Sequence, residues 1–427
     1  MKITVAGLGY IGLPTAAMLA ESGHEVLGYD TDKKVIAGLA AGRVELAERG
    51  VRDLVRRALE SGRLHPSLMP FPADAFVICV PTPTVDHRPD LRAVEAAFGT
   101  IVPLVRDGNL IMLESTVPPG TTLAVAERTF RALGRDLDAI HLAHCPERVL
   151  PGKIVDELLW NDRIVGGRRP VDAEMARAVY ATFARGEIHV TDLTTAETVK
   201  IVENAYRDVN IAFANELAIL AEALGIDAWE TIRLANCHPR VDILSPGPGV
   251  GGHCIPVDPQ FLANANPFAS ELIQTARRVN ERMPHVVTRI VRSVAPIETA
   301  DHKIALLGAA YKPDIDDARE TPTLAIEHLL ADAGYTVSVY DPIVTQYPGT
   351  VIADFEAAAR DADVLVIVTD HSQIRELDPQ AVAAVVRSRI LVDCRNAVDV
   401  DRWNAAGFDV HVIGRGTFRS TALVAAA

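Results

Sequence analysis

The strongest constraint on the fold lies in the first thirty residues, where a glycine-rich turn separates a short strand from a helix. The turn, GLGYIG, spans Gly7–Gly12 and has the pattern GxGxxG. The apolar run Lys2–Ala6 before it predicts a strand, and Pro14–Ser22 after it predicts a helix. The three glycines Gly7, Gly9 and Gly12 permit a tight turn and let the backbone approach a pyrophosphate, which the helix N-terminus attracts. This segment predicts the first βα unit of a dinucleotide-binding Rossmann domain.

An acidic residue indicates which dinucleotide the turn would take. Asp30 closes the next predicted strand, Glu25–Tyr29, and lies 18 residues after Gly12. A carboxylate at this place accepts hydrogen bonds from a ribose 2′-hydroxyl and repels a 2′-phosphate, so NAD is favoured over NADP. The alternative, a glycine turn that binds no ligand, leaves the spacing of Asp30 unexplained.

The pattern of the whole chain predicts three domains. Short apolar runs alternate with helical patterns up to about residue 190, which favours a parallel, doubly wound sheet. A long helix without glycine or proline is then predicted from Thr194 to Leu224. The α/β rhythm returns with the strands Lys303–Leu307 and Thr336–Tyr340. We predict an α/β protein in which two Rossmann-like doubly wound domains, 1–190 and 296–427, are joined by the long central helix and a helical middle domain, 191–295.

The long helix and the third domain carry two further patterns. Apolar residues recur along the helix at a spacing that predicts one buried face: Ala196, Val199, Val202, Ala205, Val209, Ala212 and Leu217. Such a helix is either a spine between domains or a dimer seam. The third domain begins its first turn with Gly308 alone, and Asp341 ends its second strand, so it resembles a Rossmann fold that has lost the cofactor turn.

Charge and composition exclude several classes of function. The 42 Lys and Arg residues are outnumbered by 56 Asp and Glu residues, so the formal net charge is 42 − 56 = −14. That balance disfavours nucleic acid and anionic membranes as partners. No apolar run approaches the roughly 20 residues that cross a bilayer, and the N-terminus leaves no room for a signal peptide. We therefore expect a cytoplasmic protein.

One cysteine stands in an unusual loop. Four glycines and three prolines surround Cys254 in the segment 246–256, and His253 and Asp258 lie close in sequence. The other cysteines are read as small buried side chains: Cys79, Cys145, Cys237 and Cys394. Five scattered cysteines with no CxxC pair argue against disulfides and a structural zinc site. From the residues alone, a nucleophilic and a structural role for Cys254 stay equally open, since a thiolate needs nearby positive charge.

Two other groupings are weaker. Lys200 and Asn204 lie four residues apart on one helix face and could together face a developing oxyanion, although an exposed Lys with a polar neighbour is the commoner case. His141 and His144 with Cys145 could suggest a metal, but a fourth ligand is missing, so no metal is expected.

Taken in order, many segments of the chain match one family. The matching segments are GLGYIGLPTA at 7–16, VPTP at 80–83, ESTVPPGTT at 114–122, CPERVLPGK at 145–153, NDRIVGG at 161–167, ENAYRDVNIAFANELA at 203–218, HPRVDILSPGPGVGGHCIPVDP at 238–259, YKPDIDDARETP at 311–322 and DCRN at 393–396. The chain resembles the nucleotide-sugar 6-dehydrogenases, which include UDP-glucose, GDP-mannose and UDP-N-acetylhexosamine dehydrogenases. The resemblance runs nearly end to end.

The resemblance implies a substrate class and a mechanism. PERVLPG and the HPRV…PGPGVGGHC segment are most similar to members acting on UDP-N-acetyl sugars, so UDP-N-acetylmannosamine is the expected substrate, with UDP-N-acetylglucosamine and UDP-glucose as alternatives. The family oxidises the sugar C6 alcohol in two steps with NAD. Cys254 would hold C6 as a thiohemiacetal and then a thioester. Lys200 would be the acid/base or oxyanion partner with Asn204, and Glu147, Thr116 and Asp258 would position the hydrolytic water.

The resemblance also assigns binding residues. It places NAD on residues of the first domain and one of the third: Gly7, Gly9, Tyr10, Ile11, Gly12, Asp30, Thr82, Thr116 and Arg319. It places the UDP-sugar on a second set: Arg148, Val149, Lys200, Asn204, Arg207, His238, Arg240, Gly251, Tyr311, Lys312 and Arg395. A second carboxylate that UDP-glucose dehydrogenases carry is replaced by Pro151. The family likeness makes the third domain the UDP-binding domain and the long helix the spine of a homodimer or higher oligomer. A non-catalytic NAD- and UDP-sugar-binding regulator is the remote alternative.

Overall fold

The computed structural model describes residues 1–44, 46, 48, 50–85, 88–150, 152–296, 302–352 and 354–416. Pro151 and the alanine-rich C-terminal end therefore lie outside the described residues. The chain packs as two units, one formed by Met1–Glu203 with Asn264–Asn266 and the other by Asn204–Ala263 with Pro267–Ala427. The division into three domains stays a prediction, because a division into two packed units does not test whether residues 191–295 form a domain of their own.

The first unit alternates strands and helices. In chain order its elements are β1 (Lys2–Ala6), α1 (Gly12–Glu21), β2 (Glu25–Tyr29), α2 (Lys33–Ala40), α3 (Val51–Glu60), β3 (Leu64–Ser67), β4 (Ala75–Ile78), β5 (Thr84–Val85), β6 (Arg88–Pro89), α4 (Arg92–Ile101), β7 (Leu110–Leu113), α5 (Thr121–Ala132), β8 (His141–His144), α6 (Ile154–Trp160), β9 (Arg163–Gly167), α7 (Pro170–Tyr180) and β10 (Ile188–Asp192). A short 3-10 turn, Val102–Leu104, follows α4.

Eight of these strands form one sheet, in the order β10-β9-β8-β7-β4-β1-β2-β3. All neighbours run parallel except β8 and β9, which pair antiparallel, so the sheet departs from the purely parallel one predicted. The central strands are continuous buried apolar runs, as expected when helices cover both faces. Alternate residues serve the two faces: Val77 packs into the core beneath α1 and α7, and Phe76 into the core beneath α4 and α5. The carboxyl ends of the strands thereby become the place for functional loops.

The second unit begins inside the long helix and ends with a second sheet. The remaining elements are α8 (Leu193–Leu224), α9 (Ala228–Ala235), α10 (Asp258–Ala265), α11 (Glu271–Val294), β11 (Lys303–Leu307), α12 (Pro322–Asp332), β12 (Thr336–Tyr340), β13 (Val351–Ile352), α13 (Phe355–Ala359), β14 (Val364–Ile367), α14 (Ser372–Arg375), α15 (Pro379–Ala383), β15 (Ile390–Asp393), α16 (Val400–Ala405) and β16 (Asp409–Val412). A 3-10 turn, Pro267–Ala269, precedes α11.

The second sheet is six-stranded and parallel throughout, in the order β13-β12-β11-β14-β15-β16. Its first turn copies that of the first unit. The Gly308 amide donates to the Tyr340 carbonyl oxygen over 2.8 Å, as the Gly7 amide donates to the Tyr29 carbonyl oxygen over 2.8 Å. Two Rossmann-like sheets and a helical middle segment confirm the predicted fold class.

The predicted element bounds are mostly close to those observed. The strands at Lys2, Glu25, Lys303 and Thr336 have the predicted bounds, whereas α1 begins two residues early, at Gly12. The glycine turn leads directly into the helix, so the first helical amide groups lie beside the turn.

Helix α8 runs for 32 residues, but its buried face is more polar than predicted. Ala196, Ala205 and Ala212 are buried as expected, whereas Val202 is 48% exposed. The buried face is completed by four polar residues: Glu197, Asn204, Asp208 and Asn215. Among the residues that the structure describes, no helix is both long and apolar enough to cross a membrane.

Gly308 offers a test of the second sheet's first turn. Its φ is +99°, and a Cβ there would lie 2.4 Å from the Cβ of Thr369. Gly308→Ala is expected to lower the free energy of unfolding by about 2–5 kcal/mol, from the left-handed backbone plus the overlap. Gly407→Ala is the control, since its φ is +87° but the added Cβ would meet only the mobile end of Arg389. Equal losses for both variants in urea unfolding would contradict this account.

Candidate functional site

The first glycine turn has the shape of a phosphate-binding loop. The φ of Gly7 is +91°, and a Cβ there would lie 2.6 Å from the Cys79 carbonyl oxygen, while a Cβ at Gly12 would lie 1.8 Å from the Gly7 carbonyl oxygen. Gly9 instead faces open space, with no heavy atom within 4 Å of an added Cβ. No acidic residue stands in the first turn of α1, so nothing there repels an anion. The open cradle before a helix N-terminus fits a dinucleotide pyrophosphate.

Asp30 is held at the end of β2 by two backbone hydrogen bonds. One carboxylate oxygen accepts from the Leu8 amide over 2.7 Å, and the other accepts from the Asp32 amide over 2.8 Å. The side chain stays half-buried, so it has room to accept from a ribose as well.

Tyr10 and Ile11 are half-buried and flank the same turn. The Tyr10 hydroxyl donates to the Glu48 carboxylate, which also accepts from the Gly152 amide over 2.9 and 3.0 Å. Glu48 therefore joins the glycine turn to the segment after β8, where the motif residues Glu147, Arg148 and Val149 lie.

Thr82 and Thr116 come from loops after neighbouring strands. The Thr82 hydroxyl donates to the Thr116 carbonyl oxygen over 2.6 Å, which ties the loop after β4 to the loop after β7. At the far end of the second loop, the buried Glu197 on α8 accepts from the Gly120 and Thr122 amides over 2.5 and 2.7 Å. A carboxylate at the start of α5 suits the positive end of that helix. Glu197 thus anchors the loop that carries Thr116.

A buried cluster lies behind these loops. Glu114, 2% exposed, accepts from the Tyr180 hydroxyl over 2.7 Å, from the Cys79 thiol over 3.0 Å and from the Thr15 hydroxyl over 3.3 Å. Burial, followed by the nearby Glu147 carboxylate, raises the pKa of Glu114. Glu114 therefore links α1, α7 and the ends of two strands beneath the glycine turn.

Glu147 is buried and paired. Its carboxylate lies 3.3 Å from the guanidinium of Arg163, which stacks on the Tyr180 and Phe183 rings at 4.9 and 5.0 Å. It also accepts from the Arg148 amide over 2.7 Å. The side chain of Arg148 pairs with Glu203 at 3.0 Å, and Val149 is half-buried. Glu147 is thus fixed in place by a cation and a backbone donor.

The two histidines of β8 have structural partners. Nδ1 of His141 lies 2.7 Å from the Asp172 carboxylate, and Nδ1 of His144 lies 3.2 Å from the Thr122 hydroxyl. No cluster of three or more potential ligand side chains that could hold a metal occurs among the described residues.

The loop of Cys254 packs closely against neighbouring residues of the same unit, and its glycines make the contacts. A Cβ at Gly247 would lie 2.6 Å from a guanidinium nitrogen of Arg395, and one at Gly251 would lie 2.6 Å from the Cβ of Tyr311. Gly252 lies against the Tyr311 ring and donates its amide to the Arg319 carbonyl oxygen over 2.9 Å. A side chain at Gly251 or Gly252 would push the loop off the segment 311–322, whereas one at Gly247 would displace the end of the Arg395 side chain.

Both ends of the loop are tied to α8. The Asn204 amide group donates to the Asp258 carboxylate over 2.5 Å, and Asn204 accepts from the Arg207 guanidinium. Asp258 begins α10 and donates its backbone amide to the Cys254 carbonyl oxygen over 2.8 Å. At the other end, the Gly247 amide donates to Asn215 over 2.8 Å. Cys254, half-buried, lies between two fixed points.

The segment 311–322 brings charge to the loop. Arg319 is gripped by both Asp317 oxygens, at 2.9 and 2.6 Å. Burial, then Asp317 and Cys254, raise the pKa of Tyr311 to about 12. Lys312 is exposed. Arg395 donates through Nε to the Val368 carbonyl oxygen over 3.0 Å. Tyr311, Arg319 and Arg395 therefore border the Cys254 loop within this unit.

Other predicted residues are more open. His238 and Arg240 are exposed and contact each other, with ring and guanidinium nitrogens 3.5 Å apart. Lys200 is half-buried on α8 in the first unit.

Cys145 and Cys394 are buried as predicted, and burial raises the pKa of the Cys145 thiol to about 12. The prediction that Cys237 is buried is wrong, because it lies exposed after α9.

The single-glycine turn of the second sheet is closed by Asp341. Its carboxylate accepts from four amides, those of Ala309, Ala310, Ile343 and Val344, at 2.6–3.0 Å. Nε2 of the buried His371 adds a fifth hydrogen bond at 3.0 Å. Burial opposes ionisation, but His371 and the amides hold the pKa of Asp341 down, at about 2.

The structure adds buried polar side chains that the sequence patterns do not single out: Glu114, Arg163, Glu197, Asp208, Asn215, Arg277 and Asn280. Glu114 begins the matched segment ESTVPPGTT, and Asn215 lies in the matched segment ENAYRDVNIAFANELA. Their signal was a polar residue inside an apolar helix or strand pattern, which sequence alone reads as exposed.

Comparison with known proteins gives matches along nearly the whole chain. Models of the UDP-glucose/GDP-mannose dehydrogenase family match the chain in three parts: the NAD binding domain over residues 1–184, the central domain over 194–282 and the UDP binding domain over 305–400. The UDP-N-acetyl-D-mannosamine dehydrogenase of Methanocaldococcus jannaschii is 43% identical over 424 residues, covering 97% of each chain. The NDP-N-acetyl-D-galactosaminuronic acid dehydrogenase of Ralstonia nicotianae is 44% identical, covering 92% of this chain and 95% of its own.

The chain is also similar to a solved structure over nearly its whole length. The UDP-D-ManNAc dehydrogenase of Pyrococcus horikoshii superposes with a TM-score of 0.91 at 39% identity, covering 98% of this chain and 100% of its own.

His144 makes stability depend on pH. Burial, and then the Lys200 cation, lower the pKa of His144 to about 3. The folded protein keeps the ring neutral while the unfolded chain protonates it, so its contribution is complete above pH 6.5 and is lost as the pH falls toward 3. Between pH 7.5 and 5.0 the loss is about 2 kcal/mol. Urea unfolding of His144→Gln is expected to show that much less pH dependence; an unchanged slope would contradict the assignment.

Proposed function

Because the chain belongs to the UDP-glucose/GDP-mannose dehydrogenase family, we propose that it oxidises the C6 hydroxyl of a UDP-N-acetylhexosamine to a carboxylate with two NAD. The sugar we propose is UDP-N-acetylmannosamine, which becomes UDP-N-acetylmannosaminuronic acid. The observation that carries this proposal is the Cys254 loop, fixed at Gly247 and Asp258 and seated on the segment 311–322. The relatives named for this sugar support the choice.

The cofactor site is proposed from the fit of the first glycine turn. Bound NAD supplies the chemistry of accepting a hydride. The residues that would hold it are Gly7, Gly9, Tyr10, Ile11, Gly12, Asp30, Thr82, Thr116 and Arg319. The open cradle at Gly9 suits the pyrophosphate, and the carboxylate of Asp30 suits a ribose without a 2′-phosphate.

Covalent catalysis explains why a cysteine is needed. The C6 alcohol loses a hydride and a proton and becomes an aldehyde. The Cys254 thiolate then adds to C6, a C–S bond forms, and the former carbonyl oxygen takes a proton, which gives a thiohemiacetal. Loss of a second hydride and that proton leaves a thioester. Water attacks the carbonyl carbon and releases its two protons to the solvent, the C–S bond breaks, and the products are the Cys254 thiolate and the free carboxylate.

The proton and water steps are assigned to other side chains. Lys200 acts as acid/base or oxyanion partner, and Asn204 helps it by donating to the developing charge. Glu147, Thr116 and Asp258 position the hydrolytic water. The pairing of Glu147 with Arg163 supports this role, since a fixed carboxylate can orient a water.

The UDP-sugar is proposed to bind through cations and small residues. The proposed set is Arg148, Val149, Lys200, Asn204, Arg207, His238, Arg240, Gly251, Tyr311, Lys312 and Arg395. Guanidinium groups suit a diphosphate by charge and by forked hydrogen bonds. Residues 1–190 are assigned to NAD, 191–295 to catalysis and dimerisation, and 296–427 to the UDP-sugar. A cytoplasmic location is proposed, since five free cysteines suit a reducing compartment.

The oligomer is proposed to form through α8. One stripe of the helix exposes large apolar side chains at intervals of four and seven residues: Val202, Tyr206, Phe213, Leu220 and Leu224. Such spacing is typical of a seam that pairs with another helix. A second copy of this chain is the proposed occupant.

The seam can be tested by reversing its polarity. Phe213→Glu with Leu220→Glu is expected to convert a dimer, or a higher oligomer, to smaller species, because two carboxylates would be buried unpaired. Light scattering after size exclusion measures the mass. Phe71→Glu is the matched control, since Phe71 is 54% exposed and Phe213 51%, and Phe71 lies after β3. An unchanged mass for the double variant, or an equal loss of mass in the control, would contradict the assignment.

The chemistry is tested by counting NADH at 340 nm with UDP-ManNAc, UDP-GlcNAc, UDP-GalNAc, UDP-glucose and GDP-mannose, each run to completion. Two NADH per UDP-ManNAc are expected. One NADH per sugar would remove the thioester from the mechanism, and none with any sugar would favour a binding protein without activity.

Cys254→Ser is expected to stall or abolish release of the acid; unchanged turnover to the carboxylate would overturn the role of Cys254 as the nucleophile.

A further inference from the structure

A chain of buried amide and carboxylate side chains leads away from the start of the Cys254 loop. The Gly247 amide donates to Oδ1 of Asn215 over 2.8 Å, and Nδ2 of Asn215 donates to Oδ1 of Asn280 over 2.9 Å. Nδ2 of Asn280 donates to Oδ1 and to the carbonyl oxygen of Asp208, over 2.8 and 3.0 Å. Asn215, Asn280 and Asp208 are at most 1% exposed. These hydrogen bonds therefore join α8, α11 and the loop through buried side chains.

Asp208 fixes which group donates and which accepts in each hydrogen bond of this series. Its Oδ1 also accepts from the Arg277 guanidinium over 2.6 Å, so it can only accept from Asn280. Asn280 must then turn its NH2 toward Asp208 and its oxygen toward Asn215. Asn215 in turn must offer its NH2 to Asn280 and its oxygen to Gly247. Because a flipped amide would leave two oxygens facing each other, the ion pair dictates an acceptor at the Gly247 amide.

The same helix holds the other end of the loop. Asn204, one turn before Asp208 on α8, donates to Asp258, whose amide reaches the Cys254 carbonyl oxygen. Asn204, Asp208 and Asn215 are spaced by four and seven residues and share one face of the helix. Cys254 lies seven residues after one fixed point and four before the other.

We propose that Asn215 and Asn280 are positioning residues for Cys254: they carry the polarity of the Asp208–Arg277 pair to the Gly247 amide and so hold the nucleophile loop in its reactive shape. The inference rests on the proposed function of Cys254 and adds residues that touch neither substrate nor cofactor. Their loss acts on the chemical steps, since a displaced nucleophile loses rate even where binding is intact.

The test is a double-mutant cycle with Asn215→Leu, Asn280→Leu and the pair, in the full-length enzyme. Each single variant is expected to lower kcat by about 10-fold to 100-fold, with KM for NAD and UDP-sugar within about twofold. Because both residues act through one chain, the pair should lose no more than the worse single variant. The rate constant for alkylation of Cys254 by iodoacetamide, followed by mass spectrometry, should change by one common factor in all three.

Controls separate positioning from general damage. Arg278→Ala, an exposed neighbour of Arg277 on α11, should leave kcat and alkylation unchanged. If a leucine variant fails to fold, Asn215→Ala and Asn280→Ala replace it and should show the same pattern, because alanine can neither accept from the Gly247 amide nor pass a hydrogen bond on. Single variants that match Arg278→Ala, or a paired loss equal to the product of the single losses, would overturn the proposal. Alkylation needs no turnover, so a wild-type enzyme that makes no second NADH would refute the thioester and still leave this network testable.

Discussion

Buried polar groups on one face of α8 are the constraint on which the functional loops depend. Glu197 accepts from the amides that begin α5, Asn204 donates to Asp258, and Asn215 accepts from Gly247. Each is buried, so each hydrogen bond is obligatory: an unpaired partner there costs about 1–3 kcal/mol. A helix supplies such groups at rigid intervals along its axis. Hydrogen bonds from this helix therefore hold in place the irregular segments that carry Thr116 and Cys254.

Glycine serves two different purposes in this NAD-dependent UDP-sugar dehydrogenase. At Gly9 the missing side chain leaves room for a ligand, while at Gly251 and Gly252 it lets protein meet protein. The second use explains why a cysteine loop should contain so many glycines. A loop rich in glycine is ordinarily flexible, but this loop is pressed against Tyr311 and has little freedom left.

The sequence predicted what depends on local pattern. The glycine turn, Asp30 and the Cys254 loop are contiguous signatures, and the strand at Lys2 and the helix ending at Leu224 follow from periodicity alone. Asp208 and Asn280 were not found, because their partner groups lie about 70 residues apart in sequence and a polar residue on a helix is ordinarily exposed. The prediction that Val202 is buried was wrong for the converse reason. A helix can expose apolar side chains where another surface is expected to cover them.

The two Rossmann-like sheets differ in what their equivalent acids can still bind. Asp30 accepts two backbone amides and stays half-buried, so it keeps lone pairs for a ribose. Asp341, 2% exposed, already accepts four amides and His371, which uses its acceptor capacity within the protein. A dinucleotide ribose would have to displace hydrogen bonds made inside a buried core, so the same fold closes the second turn to NAD. In that domain, the segment 311–322 is the part that brings charged side chains and the Tyr311 ring to the edge of the Cys254 loop.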